Sequence, residues 1–434
     1  MDKMADVLGR AGAWCGQNKY LSAIKNAFQN FMPLTIAGAI GVLWCNVLVN
    51  ETTGLGMFFK PIMALDFLNP AFQAVNFCTI SCITVGITLG IAQEIGVWNM
   101  GAERAGYIPG LVGLAAWLSV TNTSHMVDGA KEAFTGVAGN ELGATGLFTG
   151  MIIGVLSVEL FCFFEKQDAL KIKMPEQVPP GVARAFEVLV PATITLIITA
   201  CIGSACYNLT GLYLNDVIKN GIQGPLGAVG ATIPGVMIIY LVIMLFWLVG
   251  IHGNNMLSAV KEALFTPLAL ENVEKFNKGE KPTNIINMYA LQMWGEFGGS
   301  GVTIGLVIAI MIFGKREDNK AIATLSLVPG LFNINETVTF GIPMVLNPIL
   351  GIPFVFACLV TILVGYVLTV IGFCPVACLT VPWTTPPIVF GFLACGANVM
   401  GAVTQAILIA ISVVIYTPFL ISYEKYQNKQ AAEA

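Results

Sequence analysis

The sequence predicts an all-α membrane protein of about ten transmembrane helices, with re-entrant hairpins in its C-terminal half. Composition is the first ground. Of 434 residues, 56% are hydrophobic and 11% charged, against roughly a quarter charged in an ordinary soluble domain. A soluble chain of this size could not cover its surface with so few charges, whereas a lipid-facing one has no such need. Patterning is the second: apolar stretches long enough to span a bilayer recur along the whole chain. The third is a contrast. The spans of the first half are clean, and those of the second are interrupted by Gly, Pro and Asn.

Residues 1–27 come first. Apolar Met4, Val7, Leu8, Ala11, Trp14, Cys15, Leu21 and Ile24 recur at helical spacing, with Lys3, Asp6, Arg10, Lys19 and Lys25 between them. This is an amphipathic helix rather than a cleaved leader, and it suits the membrane interface. Packing on protein would satisfy the same pattern. Spans follow at about 28–49, 72–95, 105–121, 143–164 and 186–209, then at 232–250, 296–314, 351–373 and 397–422, with one more hidden in the irregular region after 250. The chain divides into an N-terminal transmembrane domain, 28–210, that scaffolds or dimerises, a linker, 211–231, and a C-terminal substrate-binding transmembrane domain, 232–434.

Charge orients the spans. With a cytoplasmic N-terminus, the inner segments 1–27, 97–104 and 165–185 hold nine lysines and arginines, and the outer loops only Lys60, Lys131 and Lys219. An even number of spans then places the C-terminus inside as well. Lys275, Lys278 and Lys281 before the span 296–314, and Lys315, Arg316 and Lys320 after it, cannot both be cytoplasmic with a single crossing between them.

Several functions are excluded. The net charge of −4, without a long charge run, offers nothing to nucleic acid. The eleven cysteines lie in apolar stretches and form no CxxC pair, so they read as small apolar residues. Walker A and HExxH patterns are absent, and no cofactor or metal is expected. Energy must come from a gradient or from a partner.

Two polar stretches interrupt the apolar second half: Trp247–Met256, which contains His252, Asn254 and Asn255, and Pro329–Pro343, which contains Asn333, Asn335 and Glu336. Backbone of this kind sits at membrane depth only where protein or water satisfies it, and in transporters such breaks commonly form the binding site. An acid at a helix centre costs about 2.5 kcal/mol or more, so Glu336 must face a cavity or a partner. It is the candidate acceptor for substrate hydroxyls. His252, flanked by glycines and asparagines, is the second candidate. Asn254, Asn333 and Asn335 both donate and accept, as recognition of a polyol requires. Trp247, Trp294 and Trp383 could offer flat faces to a sugar ring. Glu296–Gly301 could allow close backbone approach or a tight helix contact, and Pro382–Pro387 is a stiff break that could line the same cavity. His125, with Asp128, Lys131 and Glu132 nearby, reads as a solvated loop residue.

Gly250-Ile-His252-Gly, and Asn333-Ile-Asn335-Glu336 running on to Phe340-Gly-Ile-Pro343 and Asn347-Pro348, resemble signature stretches of the enzyme IIC proteins of the phosphoenolpyruvate-dependent sugar phosphotransferase system, in the lactose, cellobiose and diacetylchitobiose branch. The likeness covers nearly the full length. It implies a homodimer in the bacterial cell membrane that carries a β-linked disaccharide by alternating access. Glu336 would contact the hydroxyl that becomes phosphorylated, and His252 would be a candidate base for it. Asn335, Asn254, Trp247 and Trp383 would complete the substrate site. The phosphoryl donor would be a phosphocysteine on a separate IIB subunit, charged by IIA, since nothing in the chain resembles either. Thr337 departs from the proline many relatives carry after the glutamate. The rival reading is a proton-coupled sugar symporter with Glu336 as the proton site.

Overall fold

Nine apolar stretches require nine apolar helices or broken helices, and each stretch falls on one in the computed structural model. The structure describes residues 10, 13–14, 17–51, 55–125, 133–175, 177–225 and 230–433. Of the expected helix over 1–27, residues 1–9, 11–12 and 15–16 lie outside these, and the part from Lys19 on is helical. Asp128, Lys131 and Glu132 lie outside as well. Among the described residues the regular structure is helical apart from one antiparallel ladder, Ser124 opposite Thr135 and His125 opposite Phe134. His125 is half-buried there, its Nε2 3.2 Å from the Asn122 carbonyl oxygen.

The chain gathers into two compact units that interleave along the sequence. One comprises residues 17–38 and 74–227, the other 1–16, 39–73 and 228–434. Residues 39–73, which the sequence assigns to the N-terminal domain, thus belong with the C-terminal unit.

In the first unit the helices are α1 (Lys19–Leu43, whose last turn passes into the other unit), α2 (Ile83–Met100), α3 (Ile108–Val120), α4 (Ala144–Glu165) and α5 (Pro180–Thr210). Its core includes Ala116, Trp117, Val120 and Ile153. α2 and α4 approach closely because Gly150 lacks a side chain: a Cβ there would stand 2.2 Å from the Thr88 hydroxyl oxygen. α5 ends at Gly211, whose φ of +71° suits the left-handed helix stop.

The three segments expected on the inner side meet at one end of this unit. Lys19 bonds Glu159 at 2.6 Å and Asn99 at 3.3 Å. Buried Glu165 pairs with both Arg104 and Arg184 at 2.9 Å, and Glu187 closes the ring. The charge-bias argument therefore groups helix ends that are also neighbours in space.

The second unit contains α6 (Ile233–Leu248), α7 (Ser258–Asn277), α8 (Met288–Gly295), α9 (Ile304–Phe313), α10 (Glu317–Leu331), α11 (Glu336–Gly341), α12 (Gly351–Val370), α13 (Val389–Ala394) and α14 (Val399–Glu433). Trp294, Tyr240, Tyr416, Phe265, Phe297 and Phe354 are fully buried within it. Non-helical backbone is satisfied from inside. Fully buried Asn272 donates to the carbonyls of Asn284 and Ala377 and accepts from the amides of Thr283 and Asn284. Asn287 caps α8 by accepting from the amides of Tyr289 and Ala290.

Among the described residues, five helices are long and apolar enough to cross a bilayer: Lys19–Leu48, Ala144–Glu165, Pro180–Thr210, Gly351–Val370 and Val399–Glu433. Two bent pairs, Lys60–Met100 and Met288–Phe313, broken at 42° and 60°, raise the count to seven. Ile108–Val120 and Ile233–Leu248 are shorter apolar helices. The irregular region after 250 contains α7, twenty residues long but carrying Lys261, Glu262, Glu271, Glu274 and Lys275.

Candidate functional site

A cavity of about 550 Å³ opens in the second unit, within the range of about 300–1,000 Å³ usual for small-molecule sites. Four breaks in the helical pattern surround it. They are the turn between α6 and α7, the glycine-rich loop between α8 and α9, the hairpin between α10 and α11, and the segment between α12 and α13. His252, Asn254, Asn333, Asn335, Glu336 and Trp383 all line it.

His252 caps the helical turn Gly253–Met256. Its Nδ1 accepts the Asn255 amide at 3.2 Å. With Nδ1 accepting, the neutral ring carries its proton on Nε2, an assignment that follows from the hydrogen-bond network. Nε2 faces Glu336 Oε1 at 3.8 Å. The Glu336 side chain is 47% exposed, and among the described residues His252 is its only ion-pair partner. At 3.8 Å the imidazole Nε2 faces the carboxylate without a direct hydrogen bond.

The asparagines divide their work. Asn333 adopts φ +62° at the tip of the hairpin. Its Oδ1 accepts the Gly298 amide at 2.6 Å, and its Nδ2 donates to the carbonyls of Trp383 and Thr385. It ties three of the four breaks together rather than presenting its amide to the cavity. Buried Asn335 donates from Nδ2 to the Ser300 carbonyl at 2.8 Å. Asn254 donates to the Ser300 hydroxyl at 2.8 Å and accepts from Lys261 at 3.2 Å. Gly299, at φ +85°, lets the loop come against Asn335, where a Cβ would meet that side chain at 2.6 Å. This is the close backbone approach that the Glu296–Gly301 stretch permits.

The tryptophans separate. Trp383 is 44% exposed and lines the cavity, so the Pro382–Pro387 break does border it. Trp247, expected to offer a face to the substrate, is only 2% exposed and does not line the cavity. It packs 4.5 Å from the His252 ring and 6.5 Å from Phe354, a position that backs the histidine from behind. Trp294 is buried in the core.

The sequence reading passed over several lining residues. Glu296 appeared there only as the edge of a glycine stretch, and it is a second carboxylate of the cavity. It accepts from the Tyr240 hydroxyl at 2.6 Å and pairs with buried Lys261. Gln405, from α14, accepts the amides of Ile388 and Gly391 at 2.7 and 2.8 Å and donates to the Met293 carbonyl. Gln292, Phe297, Ser300 and Phe390 also line the cavity, as do Asn255 and Ile334. An acid just ahead of an apolar run was the available signal for Glu296. Lys261 gave none, because α7 reads as an ordinary charged helix.

Chemically the site has one held carboxylate, one open carboxylate beside a donor imidazole, amides on the floor and an exposed indole at the side. That set suits an uncharged, hydroxyl-rich ligand with one apolar face.

Comparison with known proteins places this geometry. The family described as "Phosphotransferase system, EIIC" matches residues 25–358. The oligo-beta-mannoside-specific EIIC component of Bacillus subtilis (strain 168) is 33% identical, over 98% of this chain and 94% of that protein. The cellobiose-specific EIIC component of Lactococcus lactis subsp. lactis (strain IL1403) is 29% identical, over 98% of each. The crystal structure of the transporter ChbC, the IIC component of an N,N'-diacetylchitobiose-specific phosphotransferase system, superposes with a TM-score of 0.88 at 29% identity, covering 97% of both chains.

Proposed function

The chain belongs to the phosphotransferase system EIIC family, and on that premise we propose that it carries a β-linked disaccharide across the bacterial cell membrane and presents it to a phosphorylated IIB subunit. The observation that carries this reading is Glu336, half exposed in the cavity and 3.8 Å from a donor imidazole. An acid kept at membrane depth without a cation of its own is stable only with a ligand or water to bond it. The relatives' named sugars, a cellobiose, a β-mannoside and a diacetylchitobiose, share the β linkage, and Trp383 offers an apolar surface for a pyranose ring.

In the reaction, the sugar hydroxyl oxygen attacks the phosphorus of the IIB phosphocysteine. The new O–P bond forms as the S–P bond breaks, and the hydroxyl proton passes to Glu336. Such a transfer needs positioning and charge stabilisation more than covalent chemistry from the acceptor side. The Asn255 contact at His252 Nδ1 supports assigning the base to Glu336 rather than His252, with His252 donating to it or to a neighbouring sugar oxygen. The product carries a phosphate into a site with two carboxylates, loses affinity and leaves into the cytoplasm.

The carrier works as a homodimer with ten crossings and both termini in the cytoplasm. α7 supplies the tenth: twenty residues span about 30 Å, and its charged Lys261 points into protein rather than lipid. The meeting of Lys19, Arg104 and Arg184 at one end of the first unit supports a cytoplasmic start.

Calorimetry of the purified protein with cellobiose, lactose and diacetylchitobiose, followed by uptake into proteoliposomes, tests the reading. One of the three binds, and its uptake requires phospho-IIB. Uptake driven by a proton gradient without IIB would replace this reading with the symporter.

A further inference from the structure

Lys261 is a charged side chain on α7 with about 5% of its surface exposed, and it does not itself line the cavity. Its Nζ meets two groups that do. One is Glu296 Oε1, at the start of the glycine-rich loop, and the other is Asn254 Oδ1, at 3.2 Å, in the turn that His252 caps. Both are bound further. Tyr240 from α6 donates to Glu296 at 2.6 Å, and Asn254 donates to the Ser300 hydroxyl at 2.8 Å. The Ser300 carbonyl accepts from Asn335, the neighbour of Glu336. One ammonium therefore joins a continuous path from the His252 turn, through the loop, to the Glu336 hairpin.

A buried pair of this kind is weak evidence of stability, because desolvation offsets most of the attraction, and an apolar pair would often hold the fold as well. Its other use is to fix geometry. Lys261 carries three donors and no acceptor, so it can hold two oxygens at once and set the distance between them. A displacement of about 1 Å far from the chemistry is enough to cost about 100-fold in rate.

We infer that Lys261 is a positioning residue for phosphoryl transfer: by holding Glu296 and Asn254 together it fixes the spacing between His252 and Glu336. The role rests on the carrier reading given above. It acts on the chemical step and leaves ground-state binding largely untouched, since Lys261 does not itself line the cavity.

The test uses the full-length protein with phosphorylated IIB, with cellobiose as the probe, and reads dissociation constant and transfer rate separately. Lys261→Gln keeps a donor on a shorter stem and leaves Glu296 its bond from Tyr240. Lys261→Arg keeps the charge and changes the reach, so it folds even where Lys261→Gln does not. For both we expect a cellobiose dissociation constant within threefold of wild type, and transfer slowed at least tenfold. Normal transfer in Lys261→Arg, or losses in both variants that track only a lowered melting temperature, would overturn the role and leave the carrier reading intact. A wild type that binds no β-linked disaccharide overturns the carrier reading and this role with it.

Discussion

The floor and the rim of the cavity each contain a carboxylate, and they are treated oppositely. On the floor, Glu296 is held by Lys261 and Tyr240 and is largely shielded. At the rim, Glu336 is half exposed, with an imidazole donor at 3.8 Å. The same functional group is enclosed in one place and open in the other, and what differs is whether the protein supplies the counter-charge. A carboxylate neutralised from within keeps its neighbours in register. One left open has capacity for a hydroxyl and for its proton.

Substitutions at the rim put the greatest strain on this contrast. Glu336→Gln preserves shape and removes the carboxylate that would take the proton, so phosphoryl transfer falls at least 100-fold, the scale of a lost general base. His252→Gln retains an amide donor and costs only about tenfold, on the scale of one hydrogen bond. A phosphorylation assay on the two variants decides the order, and a larger loss at His252 would return the base role to the imidazole.

Asn333 tests the scaffold that separates rim from floor. Asn333→Ala loses the bonds to Gly298, Trp383 and Thr385 and leaves alanine at φ +62°. The expected cost is about 2–4 kcal/mol, read as a lowered melting temperature in detergent with sugar binding lost in parallel. Unchanged melting would mean that the three breaks hold their places without it.

The smallest change belongs outside both regions. Arg316 donates to Asp318 and holds that carboxyl below the usual range, at the exposed start of α10. Exposed pairs contribute less than about 1 kcal/mol, so Asp318→Asn should leave binding and transfer within twofold of wild type. A larger effect on transfer would assign the start of α10 a part in IIB docking.

How far the sequence could be read follows from the range of each signal. A run of apolar residues is a local property, and each of the nine stretches lies on a helix or a bent pair. The bunching of Gly, Pro and Asn is local too, and it marked breaks that surround the cavity. His252, Asn254, Asn335, Glu336 and Trp383 come together because each sits in or beside such a break. Trp247 is turned the other way, since the face a helix buries depends on what packs against it. Lys261 lay beyond reach for the same reason. Its charge reads as surface, and only the tertiary arrangement of α6, α7 and the loop shows that it is enclosed. The interleaving of the two units likewise depends on contacts distant in sequence.

That interleaving has a consequence for synthesis. Residues 39–73 belong with a unit whose larger part begins at residue 228, with the other unit's main portion made in between. At about 5–20 residues per second, roughly ten to thirty seconds pass between the two emerging from the ribosome. Phe58, Phe59 and Phe67 are exposed even in the finished fold, so lipid can shelter this stretch throughout the wait. The bilayer then serves as its holding chaperone, and the later-made half of the chain arrives to find a partner already in place.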